Sequence, residues 1–378
     1  MLTKEDFINL GFSKGMSEAL IPAFGQKLLP NPTVGAALID ENNNMVITAS
    51  HKGKGTDHAE ASLIKAILKL NIDTSKCTLF LTLEPCMHDD TSPSCAKLLA
   101  ESKLFNKIVI GDIDPDVRTN GKGLIYMQRN NINVKVEVGA TSFIDPSYMT
   151  YASSARPYII SKFGVTKDWS TYSSNNIDEY ISSDYSRKLG HIIRNNVDAI
   201  LIGKNTLLID DPKLNIRYDL ISSDPFGVVL WGNDINSKKF LHNYNKYSNF
   251  LFICNSFDID EKTNKSILNK ERVIFIDQKI LTPESILDSF TQLNIHSLLL
   301  EGGLKTWNLF DSPGSLDTSA NDKNVSLINR MYIFESKNQF VSIDKNYLNK
   351  SYINKKYTLL KNINYPEDSL YIYEKENQ

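Results

Sequence analysis

The sequence predicts an α/β protein with two domains, and three observations carry that prediction. Short apolar runs of strand length alternate with stretches that have apolar residues at helical spacing, and this alternation occurs in two separate series. A chain of 378 residues is too long for one hydrophobic core of typical size. The polar segment TSFIDPSYMTYASSARP separates the two series. We place the boundary near residue 150, which gives domains 1–150 and 151–378.

The first series starts with a predicted hairpin, TVGAALID and NMVITASH around the turn ENNN. The helix AEASLIKAILKL, the strand CTLFLTLEP, the helix SCAKLLAESKL and the strand FNKIVIGDIDP follow in that order. This order predicts helices layered on a largely parallel sheet, with functional groups where strands end and helices begin.

The second series contains the strands DAILIG, PFGVVLWG, NFLFICN and RVIFID, then the helix PESILDSFTQLN. The strand SLLLEGG, the helix KTWNLF and the strand LINRMYIFES complete it. This pattern predicts a second α/β domain. The stretch 311–324, DSPGSLDTSANDKN, has few core-forming residues and is interpreted as a flexible insertion.

Composition narrows the class of partner. The chain is 41% hydrophobic with a formal net charge of −2, and no basic stripe indicates nucleic acid or a membrane surface. No apolar run reaches membrane-spanning length, and MLTKEDFINLGF lacks the layout of a secretion signal, so we expect a cytoplasmic protein. Four cysteines are too few for a disulfide framework. The expected partners are small molecules.

Residues 58–95 hold two of the six histidines and three of the four cysteines, which suggests a metal site. A hydrolytic zinc ion takes three protein ligands of imidazole and thiolate type and keeps one position open for water. His58 stands at a predicted helix start, Cys86 follows a strand, and Cys95 opens the next helix. A helix N-terminus favours thiolate over thiol, so these three residues are the candidate ligands.

Glu60, two residues after His58, is the candidate general acid/base, because a zinc deaminase needs a carboxylate that is not a ligand. A His-x-Glu pair alone is a common coincidence, but its combination with Pro-Cys after a strand and a second Cys at a helix start is not. The other two cysteines, Cys77 and Cys254, lie in strand patterns and are expected to be small core residues.

Four segments carry a family resemblance: PNPTVG, GTDHAEASLIKA, TLEPCMHDDTSPSC and GDIDPDVRTNGKG. They resemble the deaminase half of the bifunctional riboflavin-biosynthesis deaminase/reductases, which has a cytidine-deaminase-like three-layer α/β fold. In that family the second Cys lies further along a longer loop than in Pro-Cys-x-x-Cys, which would make room for a pyrimidine with a phosphoribosylamino group. The resemblance implies bound Zn²⁺ and places Asn31, His51 and His88 near the substrate.

Alternatives stay open at these positions. His51 and His88 could equally be surface or hydrogen-bonded structural histidines. His88 is also the second choice as a metal ligand, ranked below Cys95 because thiolate suits a soft site and a helix N-terminus lies behind Cys95.

The second domain is similar to the reductase half of the same enzymes in KFGVTKDW, in 180–217 and in LLLEGG. That half has a dihydrofolate-reductase-like α/β fold and binds NADPH. The resemblance gives Gly164, Thr206, Asp210, Gly302 and Gly303 to the cofactor. It gives Lys162, Arg187, Leu214, Arg217 and Glu301 to the substrate.

Physical reasons support some of these assignments. Two glycines between a strand and a helix let cofactor phosphates approach backbone N–H groups, and an Arg suits a phosphate. The plainer alternatives are a tight turn for Gly302 and Gly303, an Asp-capped turn at 210–212, and solvated surface charges for Arg187 and Arg217.

The chain departs from the family pattern at several positions. Asp90 and Thr91 replace a Gly-Arg pair, and loss of the guanidinium should weaken binding of a phosphorylated substrate or indicate a different one. In the second domain the departures are Lys167, Trp169, Tyr180 and Leu304, where apolar residues, Gly, Trp and Gly are usual. A Cβ in place of glycine can obstruct the cofactor.

The resemblance implies an enzyme of riboflavin biosynthesis that deaminates a diaminopyrimidine phosphoribosyl substrate and then reduces its ribosyl group with NADPH. A homodimer would fit the family. Three alternatives are a paralogue with a drifted substrate and a weakened reductase, a deaminase of nucleic-acid bases, and a non-catalytic binding module. The acidic HDD segment argues against the second, and the intact His58, Glu60, Cys86 and Cys95 set argues against the third in the first domain.

Overall fold

The structure is a computed structural model that describes residues 3–28, 31–88, 94–171, 181–217, 224–235, 237–255, 271–278, 281–312, 326–338 and 348–375. The chain forms two compact units, Met1–Ala155 and Arg156–Gln378. The boundary expected near residue 150 falls within the last helix of the first unit, Pro146–Ser154. The expected insertion at 311–324 lies outside the described residues from 313 onward.

The first unit has seven described helices and five strands. The helices are α1 Lys4–Asn9, α2 Lys14–Leu20, α3 Ala59–Leu70, α4 Cys95–Ser102, α5 Lys122–Arg129, α6 Ala140–Ile144 and α7 Pro146–Ser154. The strands are β1 Gly35–Ile39, β2 Met45–Ser50, β3 Thr78–Leu83, β4 Lys107–Asp112 and β5 Asn133–Val136.

These strands form one sheet in the order β2-β1-β3-β4-β5. β1 pairs antiparallel with β2 and β3, and β3, β4 and β5 run parallel to one another. Alternate residues of β1 face opposite layers, because side chains of a strand alternate between the two faces of a sheet. Ala36 and Leu38 pack in a cluster with α3, whereas Ala37 and Ile39 pack with α1 and α2. The unit is therefore a three-layer α/β/α structure.

The predicted hairpin is present as β1 and β2. Asp40 Oδ1 accepts hydrogen bonds from the backbone N–H groups of Asn42 and Asn44, and Asn43 takes a left-handed conformation with φ 63°. Asn tolerates that conformation better than most residues, so the turn sequence itself explains where the chain reverses.

The second unit has six described helices and nine strands. The helices are α8 Asp184–Asn195, α9 Lys204–Asp210, α10 Lys238–Lys246, α11 Pro283–Gln292, α12 Leu304–Asp311 and α13 Lys350–Lys356. The strands are β6 Tyr158–Val165, β7 Ala199–Gly203, β8 Phe226–Gly232, β9 Phe250–Asn255, β10 Val273–Ile276, β11 Ser297–Leu300, β12 Arg330–Ser336, β13 Tyr357–Asn364 and β14 Asp368–Lys375.

All nine strands belong to one sheet, in the order β10-β9-β8-β7-β11-β6-β12-β14-β13. The seven strands from β10 to β12 in this order run parallel to one another. β14 pairs antiparallel with β12 and with β13, so these last two strands form an antiparallel edge. Residues of β7 alternate between two cores: Ala199 and Leu201 pack on one face, Ile200 and Ile202 on the other. Helices covering both faces explain why the parallel strands read as continuous apolar runs.

The predicted strands and helices of the second series are all present, and the hairpin β13–β14 was not predicted. No described helix of either unit combines the length and the apolar character needed to cross a membrane.

Candidate functional site

The three predicted metal ligands lie together in the first unit. His58 is the N-cap of α3, Cys86 lies three residues beyond the end of β3, and Cys95 is the first residue of α4. His58 Nδ1 lies 3.7 Å from Cys86 Sγ and 3.3 Å from Cys95 Sγ. Among the described residues this is the one group of His, Cys, Asp and Glu donors whose ligand atoms all lie within 4.8 Å of one another.

The donor set fits zinc. Tetrahedral zinc with ordinary bond lengths to sulfur and nitrogen separates its ligand atoms by about 3.6–3.8 Å. The two S–N distances of 3.7 and 3.3 Å are close to that separation, so a zinc ion needs little movement of the side chains. One imidazole and two thiolates also leave a fourth position for water, as catalytic zinc sites do.

The N-terminus of α4 is fastened to Cys86. The backbone N–H of Cys95 donates to Cys86 Sγ at 3.4 Å, the N–H of Ala96 donates to Cys86 O at 3.2 Å, and the Ser94 hydroxyl donates to the same oxygen at 2.8 Å. Hydrogen bonds from Cys95 and His58 lower the pKa of Cys86 to about 4. In turn Cys95, which donates its proton to Cys86 and is buried, has a raised pKa. The two sulfurs thus share one proton that a divalent cation can replace.

Glu60 lies in the first turn of α3 and is 4% exposed. Burial, with the neighbouring charge of Cys86, raises the pKa of Glu60 to about 7. The Glu60 carboxylate interacts with the Cys95 thiol, so it lies against the ligand cluster. A carboxyl group with a pKa near neutrality can both accept and return a proton, as a general acid/base must.

Two of the predicted substrate residues lie beside the metal ligands. The His51 ring is 5.2 Å from the His58 ring, and His51 is 2% exposed. His51 Nδ1 lies 3.1 Å from Asp57 O and Nε2 lies 3.0 Å from Asn31 Nδ2. A neutral ring with its proton on Nδ1 satisfies both contacts, and burial, which lowers the pKa of His51, favours that form. Asn31 and His51 form one hydrogen-bonded unit.

His88, the second choice as a ligand, is half-buried and does not belong to the group of donor atoms found among the described residues. Asp90 and Thr91 lie outside the described residues. Of the cysteines expected in the core, Cys254 is buried and Cys77 is partly exposed, and neither belongs to the ligand cluster.

The sequence analysis missed Glu84, a carboxylate at the end of β3 that is 3% exposed. Its Oε2 accepts from the N–H groups of Asp114 and Gly121, at 3.1 and 2.8 Å, and its Oε1 accepts from Leu124 N–H at 3.0 Å. Glu84 therefore ties the loop 113–121 to the strand that leads to Cys86. The one available signal was an acidic residue within an otherwise apolar strand end, because its three partners lie 30 to 40 positions away.

In the second unit, two glycines lie where neighbouring strands meet helices: Gly303, which was predicted, and Gly203, which was not. Gly203 is the last residue of β7 and the N-cap of α9, and Gly303 lies three residues after β11 and is the N-cap of α12; neither helix has a side-chain cap. A Cβ on Gly203 or on Gly302 would lie 2.8 Å from Thr306 Oγ1, and on Gly302 it would also lie 2.9 Å from Thr306 Cβ, so Thr306 would have to move in either case. A Cβ on Gly303 would meet nothing within 4 Å. Uncapped N–H groups at adjoining helix N-termini suit cofactor phosphates.

The other predicted cofactor residues lie further apart. Thr206 is half-buried in α9, and Asp210, the last residue of that helix, is exposed. Gly164 lies near the end of β6, with Ser182 3.8 Å from a Cβ built on it. Arg187 Nη1 donates to Ser182 O at 2.7 Å, so this arginine lies against the start of α8.

Lys162 and Glu301 are brought together by strand register. Leu300 pairs with Ser161, so the next residues, Glu301 and Lys162, are neighbours across β11 and β6. Arg194 of α8, which was not predicted, donates to both carboxylate oxygens of Glu301: Nε to Oε1 at 2.8 Å and Nη2 to Oε2 at 2.5 Å. Burial opposes ionisation of Glu301, but the charges of Lys162 and Arg194 lower its pKa to about 2.

Leu214 is buried in the apolar core at a left-handed φ of 51°, and Arg217 is exposed. The Arg217 N–H donates to His191 Nδ1 at 3.1 Å. Burial, Arg194 and Arg217 lower the pKa of His191 to about 4, so the ring is neutral and can accept this bond. His191 was also missed, although its spacing of three from Arg194 places both on one face of a helix.

The departures from the family pattern have different outcomes. Trp169 takes a left-handed φ of 63° and is 4% exposed; its indole N–H donates to Glu335 at 2.6 Å and Lys350 lies over its ring at 4.6 Å. Lys167 is exposed, and Leu304 is the half-buried first residue of α12. Tyr180 lies outside the described residues. Trp169 is therefore accommodated by its own set of contacts.

Comparison with known proteins finds two family matches, one in each unit. Residues 14–112 match the cytidine and deoxycytidylate deaminase zinc-binding region, and residues 157–318 match the RibD C-terminal domain. A riboflavin biosynthesis protein RibD of Aquifex aeolicus is 29% identical over 293 residues, 76% of this chain and 79% of that protein. RibD of Chlamydia trachomatis serovar D is 31% identical over 212 residues, 53% of this chain and 54% of that protein.

Solved structures agree in fold. The diaminohydroxyphosphoribosylaminopyrimidine deaminase/5-amino-6-(5-phosphoribosylamino)uracil reductase of Thermotoga maritima has a TM-score of 0.75 at 25% identity, over 98% of each chain. Acinetobacter baumannii RibD has a TM-score of 0.72 at 20% identity, over 96% of this chain and 98% of that one, a likeness of fold alone. The predicted fold class, a cytidine-deaminase-like domain followed by a reductase α/β domain, is confirmed.

Proposed function

We propose how individual residues carry out the two reactions of the family to which the chain belongs, the bifunctional deaminase/reductases of riboflavin biosynthesis. The chain is a zinc-dependent pyrimidine deaminase and an NADPH-dependent reductase. We assign the deaminase to the first unit, Met1–Ala155, and the reductase to the second, Arg156–Gln378. The observation that carries the first assignment is the cluster of His58, Cys86 and Cys95.

In the deaminase, zinc held by those three residues supplies a Lewis acid that activates water at neutral pH. The Glu60 carboxylate takes a proton from the water that attacks the amine-bearing carbon of 2,5-diamino-6-(5-phosphoribosylamino)pyrimidin-4-one. It then returns a proton to the leaving nitrogen, which departs as ammonia. Burial of Glu60 favours its protonated form between the two steps.

Asn31 and His51 orient the pyrimidine in this proposal. Their mutual contact and the bond from His51 to Asp57 O fix both side chains before substrate arrives, which lowers the entropy lost on binding. His88 lies two residues beyond Cys86 and is assigned to the substrate rather than to the metal.

In the reductase, NADPH supplies the hydride that reduces the ring-opened ribosyl group to ribityl. The helix N-termini at Gly203 and Gly303 would hold the phosphates of NADPH, and Gly302 permits close packing on Thr306. The remaining residues assigned to the cofactor are Gly164, Thr206 and Asp210. Glu301 accepts hydrogen bonds from ribosyl hydroxyls, and Lys162 holds on Nζ the proton that accompanies the hydride. Arg187, Leu214 and Arg217 complete the substrate site, the two arginines as phosphate partners.

Nothing in the comparisons favours a paralogue with a drifted substrate. Trp169 is held by Glu335 and Lys350 at a position where glycine is usual, which supports an intact turn after β6. We extend the proposal to a homodimer with a cytoplasmic location: thiolate ligands suit a reducing compartment, and sedimentation of the full chain measures the mass of the assembly.

The metal assignment is tested by zinc content together with ammonia release. Cys95→Ser should reduce zinc from about one per chain to a small fraction and abolish ammonia release, because it removes one of three ligands. His88→Ala should retain zinc, and Cys77→Ser serves as the matched cysteine control. Retained zinc in Cys95→Ser with loss of zinc in His88→Ala would contradict the ligand set.

Glu60→Gln tests the proton-transfer role separately. The amide keeps the shape of the side chain but cannot take a proton, so zinc content should stay unchanged while ammonia release falls by roughly 10²–10⁴. Ammonia release within about threefold of wild type in zinc-loaded Glu60→Gln would contradict the assignment.

A further inference from the structure

One face of helix α8 contacts every polar part of the proposed reductase substrate site that the structure describes. Arg194 lies three residues after His191 and four residues after Gly190, so each of these two residues is a neighbour of Arg194 on the surface of the helix. A Cβ on Gly190 would lie 3.9 Å from Lys162 Nζ, which means that the lysine side chain passes directly over the helix at a glycine. His191 accepts from Arg217, and Arg194 donates to Glu301.

Arg194 is the centre of this face. Its Nε and Nη2 donate to the two oxygens of Glu301, and its Nη1 donates to Asn215 O at 3.0 Å. The Arg194 and Glu301 side chains are only 13% and 9% exposed. One guanidinium therefore joins the strand end that carries Glu301 to the segment 211–217, which carries Leu214 and Arg217.

We infer that Arg194 is a positioning residue of the reductase site, which holds Glu301 in one orientation and fixes the segment 211–217 against it. The inference rests on the proposed function of the second unit. The two hydrogen bonds from the Arg194 guanidinium occupy one lone pair on each Glu301 oxygen. The second lone pair on each oxygen can accept a hydrogen bond from a hydroxyl group of the ribosyl chain. A vicinal diol presents two such hydroxyl groups.

The neighbouring amine makes this orientation important. Lys162 lies close enough to Glu301 to lower the pKa of that carboxyl. Without Arg194, the buried carboxylate has Lys162 as its remaining cationic partner, and a carboxylate that turns onto Lys162 blocks both the proton donor and the hydroxyl acceptor. Arg194 thus keeps the acid and the base of the site apart.

The segment 211–217 depends on the same helix face. Leu214 has a left-handed backbone, which is unfavourable for a branched side chain and persists only when its surroundings hold it. Two hydrogen bonds hold this segment to the helix on either side of Ile216. Arg194 donates to Asn215 O, and the Arg217 N–H donates to His191. Loss of Arg194 therefore also frees the backbone that positions Leu214 and Arg217.

The test uses the full chain, supplied with NADPH and the already deaminated substrate. Arg194→Met should lower kcat/KM for the ribosyl substrate by at least about 10²-fold, since misplacement of a positioned group by an ångström has such an effect. The dissociation constant of NADPH, measured by fluorescence, should change by less than about threefold. Arg194→Lys should recover only part of the loss, because an ammonium cannot bridge two oxygens and Asn215 O in the same geometry.

Arg330→Met is the matched control. Arg330 Nη2 pairs with Glu374 at 2.7 Å in the same unit, partly buried, and plays no part in the proposed site. This variant should keep kcat/KM near that of wild type. Circular dichroism and thermal unfolding of the full chain show whether the second unit of each variant is folded, because ammonia release reports the first unit alone.

A double-mutant cycle separates positioning from general stability. If Arg194 acts partly through Glu301, the loss in Arg194→Met combined with Glu301→Gln should be clearly smaller than the product of the two single losses, and the loss beyond Glu301→Gln alone measures the effect on the segment 211–217. Additive losses, an unchanged kcat/KM in Arg194→Met, or an equal loss of NADPH binding would each overturn the inference. Wild-type protein that binds NADPH but does not oxidise it would overturn the proposed function and the inference together.

Discussion

Glu60 and Glu84 are two buried carboxylates of the first unit that have opposite environments. Glu60 lies against two sulfurs, and burial with the charge of Cys86 raises its pKa to about 7. Glu84 accepts three backbone N–H bonds, which hold its side chain in one position. One suits proton transfer, and the other suits a fixed structural role next to Cys86.

We expect Glu84→Ala to destabilise the first unit by roughly 3 kcal/mol or more, because three backbone N–H groups lose their acceptor and each unsatisfied group costs about 1–3 kcal/mol. Chemical denaturation followed by fluorescence, with Glu41→Ala as an exposed control, measures the change. A decrease in the free energy of unfolding of less than about 1 kcal/mol in Glu84→Ala would contradict the stabilising role of these three hydrogen bonds.

The titration of Asp114 should make the free energy of unfolding depend on pH with a sign opposite to the usual one for a carboxyl group. It is 4% exposed, its Oδ1 accepts from Tyr148 Oη at 2.8 Å, and burial raises its pKa from 3.8 to about 6. The folded state therefore binds the extra proton between these values, and stability falls as pH rises from about 4 to 6. The contribution at pH 7 is at most about 3 kcal/mol of destabilisation.

Asp114→Asn keeps the accepting oxygen and removes the titration. We expect this variant to be at least as stable as wild type at pH 7 and to lose the part of the pH dependence between pH 4 and 6 that wild type shows. The measurement is the free energy of unfolding of wild type and of Asp114→Asn at pH 4.5 and 7. The same pH dependence in both proteins would contradict the titration assigned to Asp114.

At the scale of elements, functional groups lie where helices begin: His58 before α3, Cys95 in α4, and glycine N-caps before α9 and α12. His58, Cys95 and Gly303 could be predicted because strand ends, helix starts and the zinc-deaminase spacing are local signals, whereas Gly203 was not predicted. Glu84 and Arg194 could not be predicted, because the role of each depends on hydrogen-bond partners up to 107 positions away in the sequence. Topology, not spacing, creates those contacts.

The glycines before α12 provide a matched pair. Gly302→Ala places a Cβ 2.8 Å from Thr306 Oγ1 and should destabilise the second unit by about 1–3 kcal/mol. Gly303→Ala meets nothing within 4 Å, so stability should be unchanged while NADPH binding weakens, because the Cβ stands where backbone N–H groups would meet a phosphate. Unfolding curves and NADPH titrations of both variants measure this; tight NADPH binding in Gly303→Ala would place the phosphates elsewhere.

For the whole molecule, the sequence predicted two α/β units and most strands, because both faces of each sheet are covered and strands read as apolar runs. The antiparallel edge was not predicted: β13 is mostly exposed, and its sequence, YTLLKNIN, has no strong apolar alternation. The sheet order was also beyond prediction, since it places β11 between β7 and β6 through contacts distant in sequence.

Two units with separate cores should lose activity separately. Removal of zinc by a chelator should abolish ammonia release and leave NADPH oxidation with deaminated substrate nearly unchanged, because no ligand of the metal cluster belongs to the second unit. Restoring zinc should restore ammonia release. Equal loss of both activities on chelation would show that the reductase also depends on the metal.

The most direct measurement supplies zinc-loaded protein with 2,5-diamino-6-(5-phosphoribosylamino)pyrimidin-4-one and NADPH, and follows ammonia and NADPH absorbance together. Ammonia release followed by oxidation of one NADPH for each ammonia, with both signals lost in Glu60→Gln and the second restored by deaminated substrate, is the predicted result. No ammonia from zinc-loaded wild-type protein, or ammonia without NADPH oxidation, would contradict the bifunctional account.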